Sequence, residues 1–145
     1  MNRKCRVLIC DDHAEFRDLL KAVLTDDQQI EIIGEASNGK EAVYKALRLR
    51  PDVVLMDLSM PEVTGLEATR RIRRASKRIK ILIVSAFDGE EVASPCLHAG
   101  ASGFFQKCRP LAELSQAIET VRRGESYLSP SGFGKVSRAG GTTSY

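Results

Sequence analysis

A chain of 145 residues, 43% hydrophobic and 28% charged, has the make-up of one globular domain large enough to bury a core without disulfides or metals. Its formal charge of +3 is mild and announces neither a nucleic-acid binder nor an acidic tail. No apolar stretch is long enough to cross a membrane, and Val7 to Cys10, behind the charged start, is too short for a secretion signal.

Short apolar runs alternate with helical patterns along the chain. Val7-Leu8-Ile9-Cys10 reads as a buried strand. Phe16, Leu19, Leu20, Val23 and Leu24 then recur at helical spacing. Ile30 to Ala36 is a second strand. Asn38 and Glu41 form a capping box that opens a helix ending before Pro51. Val53 to Met56 is the third strand and runs straight into Asp57. Thr64 and Glu67 open another helix, which continues through Ile72.

Ile79 to Val84 is the fourth strand and ends at Ser85, and a helical segment follows from about Glu90 to Ala99. Pro95 falls inside that segment, where a proline removes a hydrogen bond and costs about 3 kcal/mol. The expected helix is kinked, shortened or mobile, and could restart at Ser94-Pro95. Gly103 to Lys107 is the fifth strand. Pro110 starts a last helix, with Leu111, Leu114, Ile118 and Val121 inward and Gly124 as its stop.

Five βα units in succession predict an α/β fold: a flavodoxin-like, doubly wound (βα)5 sheet of five parallel strands in the order 2-1-3-4-5. Residues 1–124 read as one domain and 125–145, rich in Ser and Gly, as a linker or flexible tail.

In such a sheet, ligands bind beyond the carboxyl ends of the strands. Strand one ends in Asp11-Asp12, strand three in Asp57, strand four in Ser85 and strand five in Lys107. Any one of these is an ordinary turn or cap residue. Together they bring three carboxylates, a hydroxyl and an ammonium to one crevice. Crowded carboxylates repel each other unless a cation joins them, and hard oxygens suit Mg²⁺, with Mn²⁺ as a substitute. Asp57 can then serve as a nucleophile toward a phosphoryl group, with Lys107 and Ser85 on the phosphoryl oxygens.

These residues resemble the receiver domains of two-component response regulators. The match spans roughly residues 5 to 123 and includes VLICDDH, DVVLMDLSMPEVTGLEATRRIR, ILIVSAF and AGASGFFQK. The resemblance implies that Asp57 is the phosphoacceptor and Asp12 a direct metal ligand. It makes Asp11 a ligand acting through water, and Ser59 a ligand by its backbone carbonyl. Lys107 would pair with the phosphoryl group, Ser85 would be the switch hydroxyl and Phe104 the switch aromatic. The implied donor is a sensor histidine kinase.

The wording looks most like the NarL/FixJ subfamily, whose members carry a LuxR-type DNA-binding output domain. DNA would be reached only through that domain, which does not follow here, so the chain reads as a fragment. The alternatives are a stand-alone receiver and a phosphorylation-independent interaction module. The unpaired cysteines and the want of a signal or membrane-spanning stretch read as a reduced, cytoplasmic chain, and homodimer formation stays open. Cys108 stands where many receivers have proline, and Phe104 lacks the hydroxyl of a tyrosine.

Rival chemistries fit less well. An Asp-nucleophile phosphatase wants a second Asp at position 59, where Ser59 stands. A nucleotide-binding domain wants a Gly-rich turn after strand one. Cys5, Cys10, Cys96 and Cys108 form no CxxC pair, and neither His13 nor His98 has ligand spacing with another His or Cys. The basic run from Arg70 to Lys80 reads as a solvated helix face. Ile118 and Val121 fit core packing or a dimer face.

Overall fold

The computed structural model describes residues 3–87 and 89–128. Strands β1 (Cys5–Cys10), β2 (Ile30–Ala36), β3 (Val53–Met56), β4 (Lys80–Ser85) and β5 (Gly103–Gln106) alternate with helices α1 (Ala14–Thr25), α2 (Gly39–Leu49), α3 (Gly65–Ala75), α4 (Glu90–His98) and α5 (Leu114–Arg122). The strands are all parallel, in the order β2-β1-β3-β4-β5, as the βα rhythm predicts.

Alternation along each strand divides the core in two. Leu8, Cys10, Val54, Met56, Ile81, Ile83 and Phe104 face α2, α3 and α4. Val7, Ile9, Val53, Leu55, Leu82, Val84 and Phe105 face α1 and α5. Burial on both faces is why the strands read as continuous apolar runs. Ile118 and Val121 are buried in the second half, at 1% and 0% exposure, which settles them as core. The buried thiols are correspondingly inert, with Cys96 pushed up to about 11 by burial.

The helix starts follow the capping signals in part. Asn38 accepts the Glu41 N–H at 2.8 Å, while the Glu41 carboxylate reaches past it to the Ser37 N–H. Thr64 accepts the Glu67 N–H at 3.1 Å, but Glu67 turns to Arg70 and Arg71, so only half of that box forms. Replacing either cap by alanine should cost about 1 kcal/mol, read as a shifted denaturation midpoint.

Three features depart from expectation. First, α4 runs unbroken through Pro95 and does not restart there. Its length is 9 residues, against 11 or 12 for α1, α2 and α3. Pro95 is the sixth helical residue, so the carbonyl it denies a partner belongs to Glu91, an exposed first-turn residue that water can serve. The turn beyond it closes normally, with the Ala99 N–H on the Pro95 carbonyl at 2.9 Å. Second, Pro110 introduces a short 3-10 turn, Leu111–Glu113, before α5 begins at Leu114.

Third, a sixth strand, β6 (Tyr127–Leu128), adds to the sheet inside the stretch read as linker. It pairs with Gly103 and Phe104, and Tyr127 stacks on Phe105 with ring centroids 6.2 Å apart. Gly103 permits the approach, since a Cβ there would lie 2.7 Å from the Tyr127 carbonyl oxygen. Two residues carry no periodicity for a sequence reading to detect. The remainder of that stretch, from 129 on, lies outside the described residues.

Candidate functional site

Strand register assembles the site. Cys10 pairs with Met56, so Asp11 and Asp57 leave adjacent strands side by side, with the Asp57 N–H on the Cys10 carbonyl at 2.9 Å. Ser85 pairs with Gln106, and the Lys107 N–H bonds the Ser85 carbonyl at 2.7 Å. β1 and β3 are where the strand order reverses, which opens the crevice.

Lys107 is the centre of the arrangement. Its Nζ lies 2.8 Å from Asp11 Oδ2 and 3.5 Å from Asp57 Oδ1. It also sits over the Phe16 ring, 4.2 Å from the centroid, which steadies the cation. Both carboxylates are buried, Asp11 at 2% exposure and Asp57 at 4%. Asp57 Oδ2 is buried with no hydrogen-bond partner among the described residues. Burial pushes the Asp57 carboxyl above the usual carboxylate range; the Asp11 charge adds to this and Lys107 opposes it.

Asp12 is exposed at the mouth of the crevice. His13, which has no ligand spacing with another His or Cys in the sequence, joins the group through the acidic pair before it. It is the N-cap of α1, yet its side chain makes no capping bond. Its Nδ1 lies 3.1 Å from Asp12 Oδ1 and 3.4 Å from Asp11 Oδ1. One donor atom from each of Asp11, Asp12, His13 and Asp57 falls within 4.8 Å of the others. That grouping can gather around one divalent ion, whose oxygen ligands stand at roughly 2.0–2.1 Å from Mg²⁺.

Two more contributors carried no sequence signal. Phe16 looked like an ordinary apolar helix position. Arg17 donates to the Asp11 carbonyl at 2.6 Å and to Glu35 at 2.8 Å, bracing the end of β1.

The other expected residues occupy the same edge in different ways. Ser59 is exposed in the loop after Asp57. Ser85 is buried at 1% exposure and its Oγ accepts the Phe87 N–H at 3.0 Å. Phe104 is fully buried on the α4 side of the sheet. Asp11, Asp12, Asp57 and Lys107 are thus brought together; Phe104 lies behind them in the core.

Gly65 sets the return of the loop from Asp57 to α3. A Cβ at Gly65 would stand 2.0 Å from the Asp57 carbonyl oxygen and 2.8 Å from Leu58 Cα, both backbone atoms that cannot swing aside. Gly65→Ala should therefore destabilise the fold by about 1–3 kcal/mol, as overpacking does, and displace Asp57. Denaturant midpoint measures the first effect, and nuclear magnetic resonance shifts at Asp57 and Lys107 measure the second.

The comparisons with known proteins agree on one group. A family model described as the response regulator receiver domain matches residues 7–119. The response regulator GacA of Pseudomonas viridiflava is 42% identical over 125 residues, covering 86% of this chain and 58% of GacA. The transcriptional regulatory protein LiaR of Bacillus subtilis is 41% identical over 131 residues, covering 90% of this chain and 62% of LiaR. The chain thus spans about three fifths of these curated relatives. A crystal structure of a LuxR-family two-component response regulator from an Aurantimonas species is similar with a TM-score of 0.84 at 35% identity, over 88% of this chain and 91% of that one.

Proposed function

The chain belongs to the response regulator receiver domain family, and from that premise we propose that it is a phosphorylation switch with Asp57 as its acceptor. One observation supports this above the others. Lys107 bridges Asp11 and Asp57 while one buried oxygen of Asp57 has no protein partner. A structural ion pair would satisfy both oxygens.

The donors present fit a divalent ion. They are hard carboxylate oxygens, crowded, buried in part and under-neutralised by one lysine. Asp11, Asp12 and Asp57 would hold Mg²⁺ or Mn²⁺, with the Ser59 carbonyl completing the protein's share. When bound, the metal neutralises the carboxylates and draws phosphoryl oxygens toward them.

A carboxylate oxygen of Asp57 attacks the phosphorus of a phosphohistidine on a sensor kinase. The phosphorus–nitrogen bond breaks and the imidazole leaves. Lys107 shifts from Asp11 to a phosphoryl oxygen, and Arg17 keeps the end of β1 in place. Ser85 releases the Phe87 N–H and donates its hydroxyl to the phosphoryl group. Phe104 repacks into the space behind it, and the α4–β5–α5 side of the domain changes shape.

Regulation of a DNA-binding transcription factor domain is the output this reading assigns, by way of a segment beyond this chain, in the cytoplasm. Among the described residues no helix is long and apolar enough to cross a membrane.

Intact mass after incubation with acetyl phosphate or phosphoramidate and Mg²⁺ tests the proposal. The expected result is one added phosphoryl group that requires the metal and is absent from Asp57→Asn. An adduct of equal yield on Asp57→Asn would refute it.

A further inference from the structure

A cleft lies at the opposite end of the sheet from Asp57. It has a volume of about 600 Å³, within the range of small-molecule sites. Its walls come from Arg3 before β1, the end of α2, the loop before β3 and the turn between α3 and β4. β3 separates it from the acidic crevice by about 16 Å, taking some five residues at the strand rise.

Three arginines, Arg3, Arg50 and Arg78, line this cleft beside one acidic residue, Asp52. Its carboxylate is already committed. Arg3 holds it through both oxygens, at 3.1 and 2.9 Å, and the Arg6 N–H adds a third bond at 2.8 Å. Arg50 and Arg78 have no side-chain hydrogen bond or ion pair among the described residues.

The ordinary duty of cations at such a place is to serve the carbonyls at helix C-termini. Other residues perform it here. The Arg6 guanidinium bonds the carbonyls of Leu49 and Arg50, and Arg73 bonds those of Ser76 and Gly100. Arg50 and Arg78 are left over.

The backbone adds an independent observation. Arg50 caps α2 in the left-handed conformation, at φ 52°, where glycine would be unstrained. An arginine at that position carries backbone strain, and the residue lines the cleft. Leu47, 37% exposed, supplies an apolar wall at the cleft, with the buried Pro51 and Ile79 beneath it.

We propose that this cleft binds a small phosphorylated molecule of the nucleotide class. The phosphates would take Arg50 and Arg78 as forked donors, and the organic part would lie on the apolar wall. Arg78 belongs to the basic run that sequence reading assigned to solvent. The proposal does not depend on phosphorylation of Asp57.

The test is a titration of the full chain with ADP, with pyrophosphate and with adenosine, in metal-free buffer, followed by nuclear magnetic resonance of backbone and arginine side-chain N–H groups. ADP should shift Arg3, Arg50, Arg78 and Ile79, and adenosine should not. Pyrophosphate should shift the arginines without Ile79.

Arg50→Gly should weaken ADP binding at least about tenfold while leaving the unfolding temperature equal or higher, because glycine relieves the strain. Arg78→Ala should weaken it similarly, and Asp57→Asn should leave it unchanged. No shift at about 5 mM ADP would overturn the proposal, since affinities weaker than that carry almost no specificity. Shifts confined to Asp57 and Lys107 would overturn it as well. So would a DNA duplex that binds more tightly than ADP and shifts the whole Arg70 to Lys80 run, which would make this a nucleic-acid face.

Discussion

Lys107→Ala should lower stability by about 2–4 kcal/mol at neutral pH and sharply reduce phosphoryl acceptance. Stripping one partner from a buried ion pair costs about 3–5 kcal/mol. That cost is reduced here because the Lys107 side chain keeps 18% exposure and solvent screens part of the effect. Removing the ammonium leaves the Asp11 and Asp57 carboxylates facing each other without the cation that bridges them, while Arg17 stays on the Asp11 carbonyl and Glu35. Equilibrium denaturation followed by circular dichroism reads the loss.

Lys107→Met isolates the charge from the volume, because the methionine stem still covers Phe16. If Lys107→Met is as stable as the native chain, the ion pair does not hold the strand ends together and this account of the site fails. Mg²⁺ should recover part of the loss in both variants, since a ligand bound only by the folded state adds about 2.7 kcal/mol at a hundred times its dissociation constant.

The α/β class and the order of β1 to β5 were legible because each βα unit carries its own period and its own stop signals. Asp11, Asp57, Ser85 and Lys107 were legible for a related reason: a polar residue closing an apolar strand is conspicuous, and parallel topology sends all four to one edge. What escaped depends on side-chain direction or on tertiary pairing. His13 follows an acidic pair, but only the extended backbone at the α1 N-cap turns its ring toward them. Phe16 shares its helical stripe with Leu20 and Leu24, and nothing in that spacing places a lysine from β5 above it. β6 exists through pairing with β5, which no local pattern encodes. Pro95 agrees with the expectation of a shortened helix, and only a restart at Ser94-Pro95 is not seen. Its helix penalty is real in a helix interior, whereas this position denies only one carbonyl near an exposed helix start.

Asp57→Asn should make the chain more stable at pH 7, by about 1–3 kcal/mol, because the amide carries no charge to be desolvated in the crevice. The sign follows from the raised folded-state pKa of Asp57. Below the unfolded carboxylate pKa, near 4, Asp57 is protonated in both states and imposes no penalty. As pH climbs from there through the raised folded value, ionisation inside the crevice costs more than ionisation in the unfolded chain. The native chain should therefore lose stability across that window relative to Asp57→Asn, and the difference should stay constant above it. Glu35, Glu41, Glu67 and Glu119 have lowered pKa values and oppose this trend, but they are common to both chains and cancel in the comparison. Mg²⁺ should narrow the gap by stabilising the native chain more. Denaturation midpoints from pH 3 to 8, with and without the metal, decide the matter. A gap that is absent, or flat with pH, would mean that the unpartnered oxygen of Asp57 is not held at a cost, and the fit of the crevice to a cation would lose its main support.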